Sequence, residues 1–142
     1  MRFWDSSALV PLVIEEGRSR ACRDLYRADP GITAWTFAAL EVLGGCCRRR
    51  REGALQDDAF ATARARLEVA ARRWRFVPDT PPIREAAARG LLTYELKTAD
   101  ALQLAAALVW CEGRLSGRQF VAGDDKLLAA AAAEGFTTIR PA

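Results

Sequence analysis

The sequence contains no histidine, and only two of its 21 basic residues, Lys97 and Lys126, are lysines. Without imidazole, catalytic triads, histidine general bases and Cys₂His₂ zinc sites are all excluded. The four cysteines, Cys22, Cys46, Cys47 and Cys111, form no C-x-x-C pair, so a thiolate zinc site or redox motif has no framework either. Cys46 and Cys47 fall in a helical pattern where neighbours point about 100° apart, which disfavours a mutual disulfide. The cysteines are expected to be small core fillers. No apolar run approaches the roughly 18 to 20 residues of a membrane span. The opening "MRFWDSS" has neither a charged-then-apolar leader nor a small-residue cleavage site, and the expected location is the cytoplasm. Repeats and composition shifts are absent, so residues 1–142 are expected to form a single domain with its own core.

The charge is instead carried by arginine, with a net of +3. A GC-rich coding genome explains that bias without any function. Phosphate recognition explains it too, because the planar guanidinium fork matches phosphate oxygens.

Short apolar runs alternate with helical patterns along the whole chain. Strands are expected at 2–4 ("RFW"), 31–35 ("GITAW"), 75–78 ("RFVP"), 118–123 ("RQFVAG") and 136–140 ("FTTIR"). Helices are expected at 6–17, bent or broken by Pro11, and at 18–29, 36–53 with Thr36 as cap, 54–74, 81–96, 98–113 and 124–135. This alternation implies an α/β architecture with a mainly parallel sheet covered on both faces.

Most of the 18 acidic residues sit among other charges, as solvated faces do. Four do not. Asp5 and Asp124 directly follow apolar strands, Asp100 opens the apolar "LKTADALQLAAAL", and Glu41 sits in "TFAALEVLGG". Asp5 and Asp124 could be helix N-caps, and Asp100 could complement a helix dipole behind a Thr98 cap. Glu41, more than a turn inside the helix expected at 36–53, is too deep for that use. On a helical wheel Leu40, Leu43 and Cys47 share a face, with Glu41 opposite beside Ala38, Gly44, Gly45 and Arg48. The two glycines serve either close packing or open space beside Glu41.

In a parallel sheet the carboxyl ends of the strands share one edge, where such folds bind ligands. Four acids gathered there would repel one another. A hard divalent cation resolves that conflict, and oxygen-only ligands select Mg²⁺ or Mn²⁺.

These four segments resemble, in order and over nearly the full length, the motifs of PIN-domain ribonucleases of the VapC toxin type. "FWDSSALV" resembles the opening strand, acid and following hydroxyl (Asp5, Ser7). "AWTFAALEVL" resembles the second motif (Glu41), "LKTADALQLAAA" the third (Asp100) and "FVAGDDKLLAAA" the fourth (Asp124, with Leu127 three residues on). Ala122 stands where the fourth motif often has Thr or Ser, which removes one hydrogen bond from the expected site. Asp125 is a competing acid, but helical register turns it away.

The resemblance implies a PIN-like three-layer sandwich and metal-dependent endonucleolytic cleavage of single-stranded RNA. Asp5, Asp100 and Asp124 would be the metal ligands, with Glu41 binding a second ion or orienting water. Ser7 would hydrogen-bond Asp5 or a water behind it, and Arg48, from "RRRR" (48–51), would contact substrate. Arg48 at a helix end could equally serve the dipole. Implied partners are a VapB-type antitoxin and a second copy in a homodimer, for which Trp35 or Leu12 could supply apolar surface. A catalytically silent PIN module binding RNA or protein is the alternative. A haloacid-dehalogenase-type phosphatase fits poorly, because Ser7 stands where its second acid belongs.

Overall fold

In a computed structural model describing residues 1–142, the chain forms five strands and seven helices. Strand β1 (Arg2–Trp4) leads into α1 (Ser6–Val13) and α2 (Ser19–Ala28). Strand β2 (Ile32–Trp35) leads into α3 (Ala38–Arg51) and α4 (Asp57–Ala71), and β3 (Arg75–Val77) into α5 (Pro81–Thr93) and α6 (Thr98–Cys111). Strand β4 (Gln119–Val121), α7 (Asp125–Glu134) and β5 (Thr137–Ile139) complete the order.

All strand pairs are parallel, and the sheet order is β3-β2-β1-β4-β5. Phe3 of β1 pairs with Thr33 on one side and Phe120 on the other. From β1 the chain winds outward through β2 to β3, then crosses back to β4 and winds the opposite way to β5. With right-handed crossovers, α1 to α4 cover one face and α5 to α7 the other. The packing agrees: α1 contacts α2, α3 and α4, whereas α6 packs on α5, α7, β2 and β3. This is the three-layer α/β sandwich expected from the alternating pattern.

The three central strands β1, β2 and β4 are nearly continuous runs of buried residues because both faces are covered, and Phe3, Trp4, Phe120 and Val121 are all inaccessible, whereas the edge strands β3 and β5 are largely open. One contiguous cluster of 36 buried apolar residues joins the sheet to both helical layers. Helix α6 is its centre, burying Ala101, Leu104, Ala105, Ala106, Ala107 and Cys111, mostly small residues that let helices approach closely. Cys22, Cys46 and Cys111 are buried free thiols, as expected of core fillers, and Cys47 is half-buried. No helix is long and apolar enough to cross a membrane.

Several boundaries differ from the sequence reading. Helix α1 runs through Pro11 and stops at Val13, after which Ser19 Oγ donates to the Ile14 carbonyl (2.8 Å) and accepts from the Glu16 N–H (2.9 Å). Thr36 is not a cap: its N–H donates to the Val77 carbonyl (3.1 Å), and α3 begins at Ala38 behind Phe37. Thr98 is the first residue of α6 and Lys97 precedes it as the boundary residue. Helix α3 also buries a different face, through Ala38, Val42, Gly45 and Cys46, while Leu40 points to solvent. Trp35 is a core residue rather than surface, and Leu12 is half-buried.

Candidate active site

The sheet order reverses at β1, which lies between β2 and β4, and the crevice at such a switch point is where open α/β sheets bind ligands. Asp5 leaves β1 there, and its N–H donates to the Val121 carbonyl of β4 (2.9 Å). Gly123 and Asp124 leave β4 at the same edge. The hydroxyl of Ser7 joins the two strand ends, donating to Asp5 Oδ2 and accepting from the Gly123 N–H (2.8 Å). Helices α3 and α7 follow strands directly, so they start at this edge. Helix α6 runs back against the strands before β4, so it starts there too.

Each of the four singled-out acids therefore stands at a different helix N-terminus. Asp5 caps α1, with Oδ2 accepting the Ser7 N–H (3.0 Å). Asp124 caps α7, accepting the Leu127 N–H (2.8 Å). Asp100 and Glu41 lie in the first turns of α6 and α3. Glu41 is thus shallower than the sequence suggested, because α3 starts two residues later than expected. Helix N-termini carry partial positive charge, so the cap and catalytic readings of these acids are compatible.

That compensation is incomplete. Burial, joined by repulsion from Asp100 and opposed by the Ser7 hydrogen bonds, pushes the Asp5 carboxyl up to about 6. Burial and then repulsion from Asp5 push Glu41 up to about 7, against the hydrogen bond from Gln103. Asp100 is raised by burial and by Asp124. The four carboxylates form an interacting chain in the order Glu41, Asp5, Asp100, Asp124. None makes an ion pair with an arginine or lysine. Asp125, by contrast, pairs with Arg140 (2.9 Å), as its register implied.

Donors of this kind, all oxygen and all anionic, suit a hard divalent cation. As the side chains stand, no group of three or more acids or thiols is arranged to hold a metal ion. Asp5, Glu41 and Asp100 line one cleft of about 540 Å³, while Asp124 lies exposed outside its lining.

The same cleft is lined by Arg18, Arg48, Arg49 and Arg51. Three of the four arginines of "RRRR" face it, where Arg48 was the one named from the sequence. The fourth, Arg50, pairs with Asp57 (2.9 Å) and lies over the Phe60 ring (4.7 Å). Arg49 is tied to Glu16 (3.2 Å) and to the Gly45 carbonyl (3.0 Å). Arg48 and Arg51 have no acidic partner. The two glycines of α3 divide the roles the sequence left open. A Cβ at Gly44 would meet nothing within 4 Å, leaving room in the cleft, whereas one at Gly45 would press on Arg49 (3.2 Å) and Val10 (3.3 Å).

Gln103 was not foreseen. It is fully buried on α6 and donates from Nε2 to Glu41 Oε1 (2.7 Å), while its own Oε1 has no partner. A polar residue set between Leu102 and Leu104 in the apolar run of α6, three residues after Asp100 and so on the same side of the helix, was the available signal. Gln103→Leu removes both the useful donor and the orphaned acceptor. Stability should change by less than about 1 kcal/mol, while turnover of any reaction using Glu41 should fall roughly 10-fold. Urea melts and initial rates on the same preparation would check this; an unchanged rate would show that the contact is only structural.

A second concavity of about 670 Å³ lies away from the acids, between α2 and α4. Its floor is apolar, with Leu12, Tyr26, Ile32, Val69 and Trp74, and its rim carries Arg23, Arg27, Arg66 and Arg73.

The family model described as "PIN domain" matches residues 2–137. Solved structures share the fold at low identity. A toxin–antitoxin complex from Klebsiella pneumoniae aligns with TM-score 0.67 and 18% identity, covering 100% of this chain and 98% of that one. VapC20 of Mycobacterium tuberculosis, described as a sarcin-ricin loop cleaving toxin, aligns with TM-score 0.66 and 20% identity, covering 99% and 100%. FitAcB from Neisseria gonorrhoeae aligns with TM-score 0.70 and 13% identity, covering 99% and 98%. No curated protein matches the chain in sequence.

Proposed function

This chain belongs to the PIN-domain family, and from that premise we propose that it is a metal-dependent endoribonuclease acting on single-stranded RNA, the toxin of a toxin–antitoxin pair. The observation that carries the reading is the charge arrangement of one cleft. Asp5, Glu41 and Asp100 share it without a basic partner, and Arg48 and Arg51 line it without an acidic one. Such a site rejects a lone anion at its floor yet attracts a polyanion along its rim.

In this reading Asp5, Asp100 and Asp124 hold Mg²⁺ or Mn²⁺. The ion supplies positive charge that makes water nucleophilic at neutral pH and neutralises the phosphate in the in-line transition state. Ser7 fixes the rotamer of Asp5 through its hydroxyl and backbone N–H. Glu41, raised to about 7, can accept a proton from the attacking water near neutral pH, and Gln103 holds its carboxylate in place. Arg48 and Arg51 grip phosphates flanking the scissile bond.

Residues 1–142 act as a single domain in this proposal. The apolar groove with its arginine rim suits an amphipathic segment bearing acidic flanks, the chemistry a VapB-type antitoxin would offer. A homodimer would use the exposed Phe37 and Leu40 of the α3 start, or Leu91 and Leu92 of α5, instead of Trp35.

The test is purified protein incubated with single-stranded RNA in manganese or in chelator, with the new ends sequenced. Cleavage only with metal, leaving 3′-hydroxyl and 5′-phosphate ends, supports the proposal; no cleavage in either sinks it. RNA affinity should also fall steeply with salt, with a log–log slope of about −0.7 per phosphate contacted. Removing Arg48 and Arg51 together should make that slope shallower by about 1.4. An unchanged slope would place the phosphate grip elsewhere.

A further inference from the structure

One guanidinium in the cleft comes from outside the "RRRR" segment. Arg18, on the loop before α2, rests directly against Gly123, where β4 gives way to α7. A Cβ at Gly123 would lie 1.9 Å from Arg18 Nη1 and 3.1 Å from its Cζ. The same point is 3.6 Å from Ser7 Oγ, the hydroxyl that holds Asp5. Arg18 is half-buried, yet its guanidinium makes no ion pair and donates no hydrogen bond within the chain. A guanidinium carries five N–H donors, and none of the Arg18 nitrogens is sealed from solvent, so they stay available at the cleft wall for an anion that enters it.

The other cleft arginines are differently placed. Arg49 is committed to Glu16, and Arg48 and Arg51 are exposed on α3. Arg18 is the cation that reaches the strand ends from which Asp5 and Asp124 project.

We infer that Arg18 is a catalytic residue that binds a non-bridging oxygen of the scissile phosphate, and that Gly123 lacks a side chain so that it can. The inference rests on the nuclease reading and deepens it. In the hydrolysis, water oxygen bonds to phosphorus and the P–O3′ bond breaks. One proton of the water ends on the 3′ oxygen, and the nucleophile's oxygen remains in the 5′-phosphate. Arg18 transfers no proton. It stays cationic throughout and opposes the charge that gathers on the equatorial oxygens.

The experiment compares wild type with R18Q, R18K, G123A and the R18Q/G123A double variant on a short fluorescein-labelled single-stranded RNA in manganese. R18Q should lower kcat by about 100-fold with a smaller rise in KM. R18K should recover only part of the loss, because an ammonium lacks the planar fork. G123A should mimic R18Q by displacing the guanidinium, and the double variant should be no worse than R18Q alone. Because R18Q also removes the clash, the double variant keeps the comparison valid if G123A folds poorly. A second readout needs no turnover: in chelator, on an Asp5→Asn background, R18Q should make the salt slope of RNA binding shallower by about 0.7. Wild-type cleavage with R18Q at full kcat would overturn the role of Arg18 alone. Independent, multiplying losses from R18Q and G123A would overturn the coupling. Absence of cleavage by wild type would instead remove the nuclease reading, and this inference with it.

Discussion

Asp5→Asn should cut RNA cleavage on the order of 10³-fold or more and, in chelator, make the protein more stable than wild type. Both effects follow from one buried carboxylate. Asp5 is 3% exposed and its carboxyl is pushed up from 3.8 to about 6, chiefly by burial. The folded state therefore holds the neutral form better than the ion. That shift corresponds to a penalty of about 3 kcal/mol once the group is ionised. Asparagine keeps the shape, remains a good helix cap and carries no charge. Its melting temperature in chelator should exceed that of wild type at pH 7.5 by roughly 5 °C. The measurement is a pair of thermal melts beside a cleavage assay. An inactive but destabilised variant would assign Asp5 to structure, and an active one would remove it from the site.

The second large effect is the pH dependence of the metal-free protein. Between 3.8 and about 6 the folded state binds more protons at Asp5 than the unfolded chain does, so stability falls as pH rises through that window. Above about 6 the full penalty is present. Glu41, shifted to about 7, extends the decline upward by a smaller amount because it is only half-buried. In chelator the urea midpoint should be higher at pH 5.5 than at pH 7.5. Manganese binds the ionised carboxylates, so it should stabilise the protein at pH 7.5 and do little at pH 5.5, closing or inverting the difference. A midpoint that rises with pH in chelator would contradict the electrostatic account of this cluster.

Much of this was legible in the chain because two simple rules agree. The central strands, buried on both faces, read as short apolar runs, the edge strands by their β-branched and aromatic residues, and the helices between them by their period, so all five strands were located to within a residue or two. Asp5 and Asp124 could be placed at the sheet edge because they directly follow β1 and β4. What failed was finer. Thr36 and Thr98 have the right chemistry for caps, but Thr36 extends the strand pairing through its N–H to Val77, and α6 already includes Thr98 as its first residue. The wheel for α3 grouped Leu40 with Leu43 and Cys47 but did not say which face is buried, because a helix bearing Glu41, two glycines and four arginines gives no clean apolar stripe. Arg18 was invisible: it is one of many arginines in the sequence, and only the fold sets it on Gly123.

The sheet order has a consequence for when, on the nuclease reading, the growing protein could first cleave RNA. Phe3 lies beside Phe120, and Asp5 is fixed by a bond to Val121. A polypeptide still emerging from the ribosome carries its first acid early but lacks the neighbour strand until nearly the end of synthesis. On the nuclease reading, the growing chain stays harmless to the RNA being translated until β4 docks, and truncated products should be inert.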